Sequence, residues 1–211
     1  MRYRLAKPND LNSIVDLHYN VRHSYSVGFF ACMRKPFFRR YYEILIKDKN
    51  EIILCAEDED GIIQGFISAT LNVEEQFDNL KKHKFALGLS ALTTLMMSPK
   101  TIKEVYERYN SLSSKNDGQQ FITKEGVRGE FWVWNAQCPN PTASVELQLR
   151  LMMLLKALGV KKMYSEVDSI NKKIVLFHKL NKAVEVGRII LPDGRERILL
   201  CNDLENSGYN M

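Results

Sequence analysis

The 211-residue sequence predicts one α/β domain: a mixed, mostly antiparallel sheet of about seven strands, flanked by helices and carrying a helical insertion. Three observations predict it. Short β-rich runs alternate with amphipathic helical stretches in the order β-α-α-β-β, insertion, β-α-β-α-β-β. Asp60-Gly61 and Asp193-Gly194 each join two such β-rich runs, the signature of tight antiparallel hairpins. No internal repeat and no Pro-, Gly- or Ser-rich linker divides the chain, so residues 1–203 read as one domain, with 72–128 as the insertion and 204–211 as a flexible tail.

Tyr3 to Ala6 reads as a short strand. Pro8-Asn9-Asp10 then offers capping side chains to a helix with Leu11, Ile14, Val15 and Leu17 at helical spacing. A looser aromatic stretch from Tyr19 to Phe30 leads to Pro36, which can open a second helix through Phe37, Tyr41, Ile44 and Leu45 to about Lys47. Glu51 to Ala56 and Ile62 to Leu71 form the first hairpin. From Asn72 to about Arg128 the pattern is helical, with Ser98-Pro99 as a break and residues 111–118 as a loop.

Glu130 to Ala136 alternates and is rich in aromatics, the mark of a strand. Pro141 to Leu158 is a strongly apolar helix that Gly159 can end in the left-handed conformation. Lys162 to Val167 is again a strand, and Asn171 to Asn181 a helix. Val184 to Ile190 and Arg195 to Cys201 close the sheet as a second hairpin.

Composition narrows function by exclusion. Thirty Lys+Arg against 25 Asp+Glu leave a net charge of +5 spread along the chain, so bulk charge argues for neither a nucleic-acid binder nor a strongly acidic partner. Cys32, Cys55, Cys138 and Cys201 form no CxxC pair, which disfavours zinc and a disulfide framework and fits a reducing cytoplasm. The start carries no apolar signal core, and Phe85 to Met97 falls short of the roughly 20 residues a spanning helix needs, so no transmembrane segment is expected.

The run from Tyr164 to Asn181, YSEVDSINKKIVLFHKLN, carries a specific resemblance. A strand ending in Val167-Asp168, then Asn171, then a helix with Leu-Phe-His-Lys-Leu spacing resembles the second cofactor motif of the GNAT acyltransferases. The element order and the Gly65-Phe66-Ile67 strand start are similar to that family as well. Two positions depart from the motif. Phe177 stands where the family has a Tyr that returns a proton to the coenzyme A thiolate, and a phenyl ring has none to give. Asn181-Lys182 replaces Gly-Phe, a milder change because Asn is the next choice after Gly for positive φ at a helix end.

The resemblance implies an acetyl-coenzyme A dependent transferase acting on a small amine, with an amino sugar as one acceptor class. Its cofactor would lie between the Glu130–Ala136 and Lys162–Val167 strands, the backbone of Trp134 and Asn135 meeting the pantetheine arm, with Asn171 and Phe177 beside it. In the family a glycine loop closes backbone N–H groups on the pyrophosphate. The corresponding residues 138–145 contain no glycine. Pro139 and Pro141 remove two donors, and Asn140 can cap its own helix by taking an N–H that the phosphate would use. Thr142, Ala143 and Ser144 stand near the glycine positions and offer hydroxyls and N–H groups instead.

Glu130, on the aromatic strand, is the candidate general base, against the plainer reading of an exposed Glu at a strand start. Trp132 and Trp134 share a face by alternation, either core or the wall of a cleft. His18, His23, His83 and His178 lack metal-ligand spacing, so no metal is expected; His178 points away from Phe177's face and is a poor substitute acid. His23 and Tyr25 fall where the family places substrate loops. Lys81-Lys82-His83-Lys84 followed by an apolar run to Met97 reads as a helix packed on the domain, with a cover over the substrate site, a homodimer contact or an anionic membrane surface as alternatives. The rival to the enzyme is a protein of the same fold that has lost coenzyme A and binds another ligand or partner.

Overall fold

The computed structural model describes residues 1–24, 29–97, 126–191 and 194–206. The chain runs β1 (Arg2–Leu5), a short 3₁₀ turn, α1 (Leu11–Val21), a second 3₁₀ turn (Arg22–Ser24), α2 (Phe29–Cys32), α3 (Lys35–Ile46), β2 (Glu51–Glu57), β3 (Ile63–Thr70), α4 (Val73–Lys82) and α5 (Lys84–Met97). It continues with β4 (Val127–Trp134), α6 (Pro141–Ala157), β5 (Lys162–Asp168), α7 (Lys172–Leu180), β6 (Val184–Ile190) and β7 (Glu196–Asp203). The strands form one sheet in the order β1-β2-β3-β4-β5-β7-β6. All neighbours are antiparallel except β4 and β5, which α6 joins as a βαβ crossover. The mixed sheet and its flanking helices are therefore as the sequence predicts.

Local chemistry explains most boundaries. In the β2–β3 turn the Asp58 carboxylate accepts the N–H groups of Asp60 and Ile62 at 3.1 and 2.9 Å, and Gly61 takes φ +79°. At α1, Asp10 is already helical, so its carboxylate turns back to the Lys7 N–H at 2.6 Å and to the Arg4 guanidinium at 2.6 and 3.0 Å instead of capping forward. At the end of α7 the left-handed residue is Lys182, φ +64°, and not Asn181. Asn181 keeps a negative φ of −88° with ψ 25° and donates its side-chain amide to the Phe177 carbonyl at 2.9 Å, which satisfies that carbonyl without a change of hand. The aromatic strand begins at Val127, three residues earlier than its aromatic pattern suggests, because Arg128 is drawn inside by buried partners.

Helices cover both faces. On one, Phe38, Tyr42, Leu45 and Ile14 from α3 and α1 pack on Ile53, Cys55, Phe66 and Val133. On the other, Leu147, Leu151, Met152 and Leu155 of α6 pack on Ile52, Leu54, Ile67 and Met163, while Val167, Ile198 and Leu200 lie under α7. Each large apolar side chain so buried stabilises the fold by about 1.5–3 kcal/mol. α5 departs from the expectation of burial all round. Leu87 and Ala91 are buried against the first cluster and Thr94 Oγ accepts the Arg34 N–H at 3.1 Å, but Phe85, Leu89, Leu92 and Met96 form an exposed stripe. No helix among the described residues is long and apolar enough to cross a membrane.

Candidate functional site

The sheet forks between β4 and β5. Their ladder holds only Val127–Met163, Arg128–Tyr164 and Gly129–Ser165, after which β4 follows β3 and β5 follows β7. A bulge opens the fork. Ile67 pairs with Trp132 and Ala69 with Gly129, which leaves Glu130 and Phe131 together opposite Ser68, whose hydroxyl takes the Phe131 N–H at 3.3 Å. The bulge also resets the alternation: Arg128 meets Gln76 and Phe77 of α4, whereas Trp132 and Trp134 pack with the α6 cluster. The strands diverge toward their C-terminal ends, where α6 and α7 start, the usual place for a ligand in a crossover sheet.

Glu130 stands at the crotch of this fork. Arg128, 4% exposed, sends Nε and Nη2 to one oxygen of Glu130, Oε1, at 2.7 and 2.6 Å. The Glu130 side chain is 9% exposed, so the plainer reading of a solvated strand-end Glu is corrected. Its Oε2 accepts no hydrogen bond from the described residues. Arg128 Nη2 also donates to Gln76 Oε1 at 3.2 Å, and the Gln76 amide donates to the carboxylate of Glu51. Burial first, and then the neighbouring Glu130 charge, push the Glu51 carboxyl well above the usual range. Burial alone would weaken the charge on Arg128, but Glu130 and Glu166 outweigh it and hold the guanidinium protonated.

The β5 side of the fork is bracketed by arginines. Asp168 accepts Arg195 Nη1 at 2.8 Å and Arg197 Nε at 3.1 Å, and Glu166 lies 3.6 Å from Arg197. Asp168 of the Val-Asp pair thus braces β5 against β7, while Val167 is buried under α7.

At the mouth of the fork, each helix caps itself. Asn140 Oδ1 accepts the Ala143 N–H at 3.2 Å and the Thr142 hydroxyl at 2.7 Å. Ser144 Oγ accepts the indole N–H of Trp132 at 3.1 Å, and the Trp132 ring lies 4.9 Å from that of Phe177. Asn171 Oδ1 faces the Ile174 N–H at 3.5 Å. Asn135 closes onto Gln64 through its backbone N–H at 2.8 Å and its side-chain amide at 2.7 Å. Trp134 lies across Gly65, and its indole nitrogen is buried without a hydrogen-bond partner among the described residues. The structure therefore brings Trp132, Ser144 and Phe177 into contact and arranges Glu130, Asn140, Thr142, Ala143 and Asn171 around the same fork.

His23 is exposed in the 3₁₀ turn after α1, and Tyr25 lies outside the described residues. His18 is a satisfied core histidine, its Nδ1 2.5 Å from the Tyr42 hydroxyl, with burial pushing it down to about 3. His178 is buried as well, pushed down to about 4 by burial. No group of His, Cys, Asp and Glu among the described residues is disposed to hold a metal. Sequence reasoning missed Arg128, Gln76 and Glu51; the one available signal was a charged Arg-Gly-Glu run entering an aromatic strand.

Comparisons with known proteins give the fold and nothing narrower. No family model and no curated protein matches the sequence. Among solved structures, an N-acetyltransferase from Staphylococcus aureus Mu50 superposes with TM-score 0.59 and 14% identity, over 97% of this chain and 98% of that one. A ribosomal-protein-alanine N-acetyltransferase from Brucella melitensis gives 0.58 and 10%, over 96% and 99%. FeeM, an N-acyl amino acid synthase from uncultured soil microbes, gives 0.58 and 10%, over 98% and 97%. The described residues have the GNAT N-acetyltransferase-like fold.

Proposed function

We propose that the protein is an N-acyltransferase that moves an acyl group from a pantetheine thioester to a small amine in the β4–β5 fork. The observation that carries this is Glu130: a buried carboxylate at the crotch of the fork, fixed through Oε1 by Arg128 and presenting Oε2 without a partner among the described residues. A thioester supplies an acyl carbon with a thiol leaving group. The fork fits the arm of such a donor, because the backbone of β4 beyond Gly129 has no strand partner on the β5 side. The cradle for a nucleotide pyrophosphate does not fit: Asn140 holds the Ala143 N–H, and Pro139 and Pro141 have none.

Glu130 Oε2 takes one proton from the attacking amine as the C–N bond forms and the C–S bond breaks. The same proton, relayed through water, converts the leaving thiolate to a thiol, because Phe177 has no hydroxyl to do it. Arg128 holds Glu130 in place and Gln76 holds Arg128. Four free thiols suit a reducing cytoplasm as its setting.

The contact of Trp132 with Phe177, inside the fork, favours the rival reading of a binding protein without transferase activity. Thiol release from S-acetyl-pantetheine in the presence of primary amines decides between them. Transfer that falls about 10²–10⁴-fold in Glu130→Gln supports the enzyme. No amine-dependent thiol release from any pantetheine thioester contradicts it.

A further inference from the structure

We infer that the acyl group arrives on a phosphopantetheine arm borne by an acidic carrier protein, which docks on the outward face of α7. This rests on the acyltransferase reading above and names its donor. Two independent observations lead to it. Beyond Gly129 the backbone of β4 has no ladder partner on β5, an edge that a pantetheine arm can pair with, while Asn140 takes the Ala143 N–H at the helix start that would hold a nucleotide pyrophosphate, and the first turn of α6 has no basic residue. A donor with the arm and without the nucleotide satisfies both.

The second observation is the surface at the mouth of the fork. α7 starts where β5 ends, and its outward side carries Lys172, Lys173, Leu176, Lys179 and Leu180, spaced so that they share one face, with Ile170 just before the helix. Ile170, Leu176 and Leu180 are 63, 57 and 74% exposed. Lys172 and Lys173 make no ion pair with the described residues, and Lys179 reaches only Glu185 at 3.4 Å. An apolar row edged by lysines is complementary to an amphipathic helix edged by carboxylates. Nucleotide phosphates would account for the lysines but not for the leucines beside them. The chain's small net charge hides this local patch. The reaction itself is unchanged: the C–N bond forms, the C–S bond to the arm breaks, and the arm leaves as a thiol still attached to its carrier.

The test compares three donors with one amine acceptor: acetyl-loaded bacterial acyl carrier protein, S-acetyl-pantetheine and acetyl-coenzyme A. The expected kcat/KM is about 100-fold higher for the carrier than for S-acetyl-pantetheine, with acetyl-coenzyme A no better than S-acetyl-pantetheine. The pairs Leu176→Ser/Leu180→Ser and Lys172→Glu/Lys173→Glu should each lower the carrier rate about tenfold and leave the S-acetyl-pantetheine rate unchanged. A tenfold preference for acetyl-coenzyme A over both other donors, or a carrier rate indifferent to all four substitutions, overturns the inference. Calorimetry with the holo-carrier reads docking without catalysis. Saturable binding weakened by the lysine reversals supports the docking face, and absence of binding overturns it. Loss of transfer from all three donors with docking intact is the failure of the acyltransferase reading alone.

Discussion

Arg128 places both of its bonds to Glu130 on a single oxygen, and this asymmetry gives two residues different predicted phenotypes. Arg128→Ala strands Glu130 in a buried position and removes the Gln76 contact, so it should destabilise the protein by about 3–5 kcal/mol, read as a lower urea midpoint at unchanged slope. Glu130→Gln keeps an oxygen for Arg128, so it should cost less stability than Arg128→Ala while lowering the transfer rate by the same roughly 10²–10⁴-fold that general-base loss gives. The buried histidines give a pH signature. His18 sits at about 3 and His178 at about 4 in the folded protein, against about 6.5 when unfolded. Below pH 6.5 the unfolded chain takes up their protons first, so stability should fall as pH drops toward 4, by up to about 1.4 kcal/mol per pH unit for each histidine. Urea unfolding at pH 7.5, 6 and 5 checks this. His178, whose Nδ1 is buried without a partner among the described residues, should contribute no slope once replaced in His178→Leu. Glu130 was legible in the sequence as the carboxylate on the aromatic strand. Arg128 was not, because strict alternation puts residues 128, 130, 132 and 134 on one face, and only the bulge opposite Ser68 sends the charged pair to one side and the tryptophans to the other.

The elements that build the fork were readable to different depths. The first hairpin and α6 announce themselves by the Asp60-Gly61 turn, by Asn-Pro at a helix start and by Gly159 at a helix end, all local backbone chemistry that survives in three dimensions, whereas Asp193 of the second Asp-Gly turn lies outside the described residues. Packing between elements has no such local code. Gly65 is the clearest case: a Cβ there would fall 2.1 Å from Trp134 Cε3 and 3.1 Å from the Val133 carbonyl. Gly65→Ala must therefore push Trp134 out of place and should destabilise the protein by about 1–3 kcal/mol, a loss that shrinks in a Trp134→Leu background if the ring is the obstacle. At the mouth, Asn140→Ala should remove about 1 kcal/mol by uncapping α6, checked by thermal unfolding.

On the scale of the whole molecule, element order alone identified the architecture, even though the superposed structures share only 10–14% of residues with this chain. The same order could not tell which side of α5 faces water, because its apolar residues surround the helix. Leu87→Ala should cost about 2–5 kcal/mol and Leu89→Ser less than about 0.5, a contrast that denaturant titration resolves and that marks Phe85, Leu89, Leu92 and Met96 as a free surface. The central claim is that the divergence of β4 and β5 beyond Gly129 receives a pantetheine arm. Residue-resolved amide hydrogen exchange under saturating S-acetyl-pantetheine tests it most directly. The prediction is new protection at residues 130–134 of β4, on the side turned toward β5; protection confined to other parts of the sheet, or none at saturation, contradicts it.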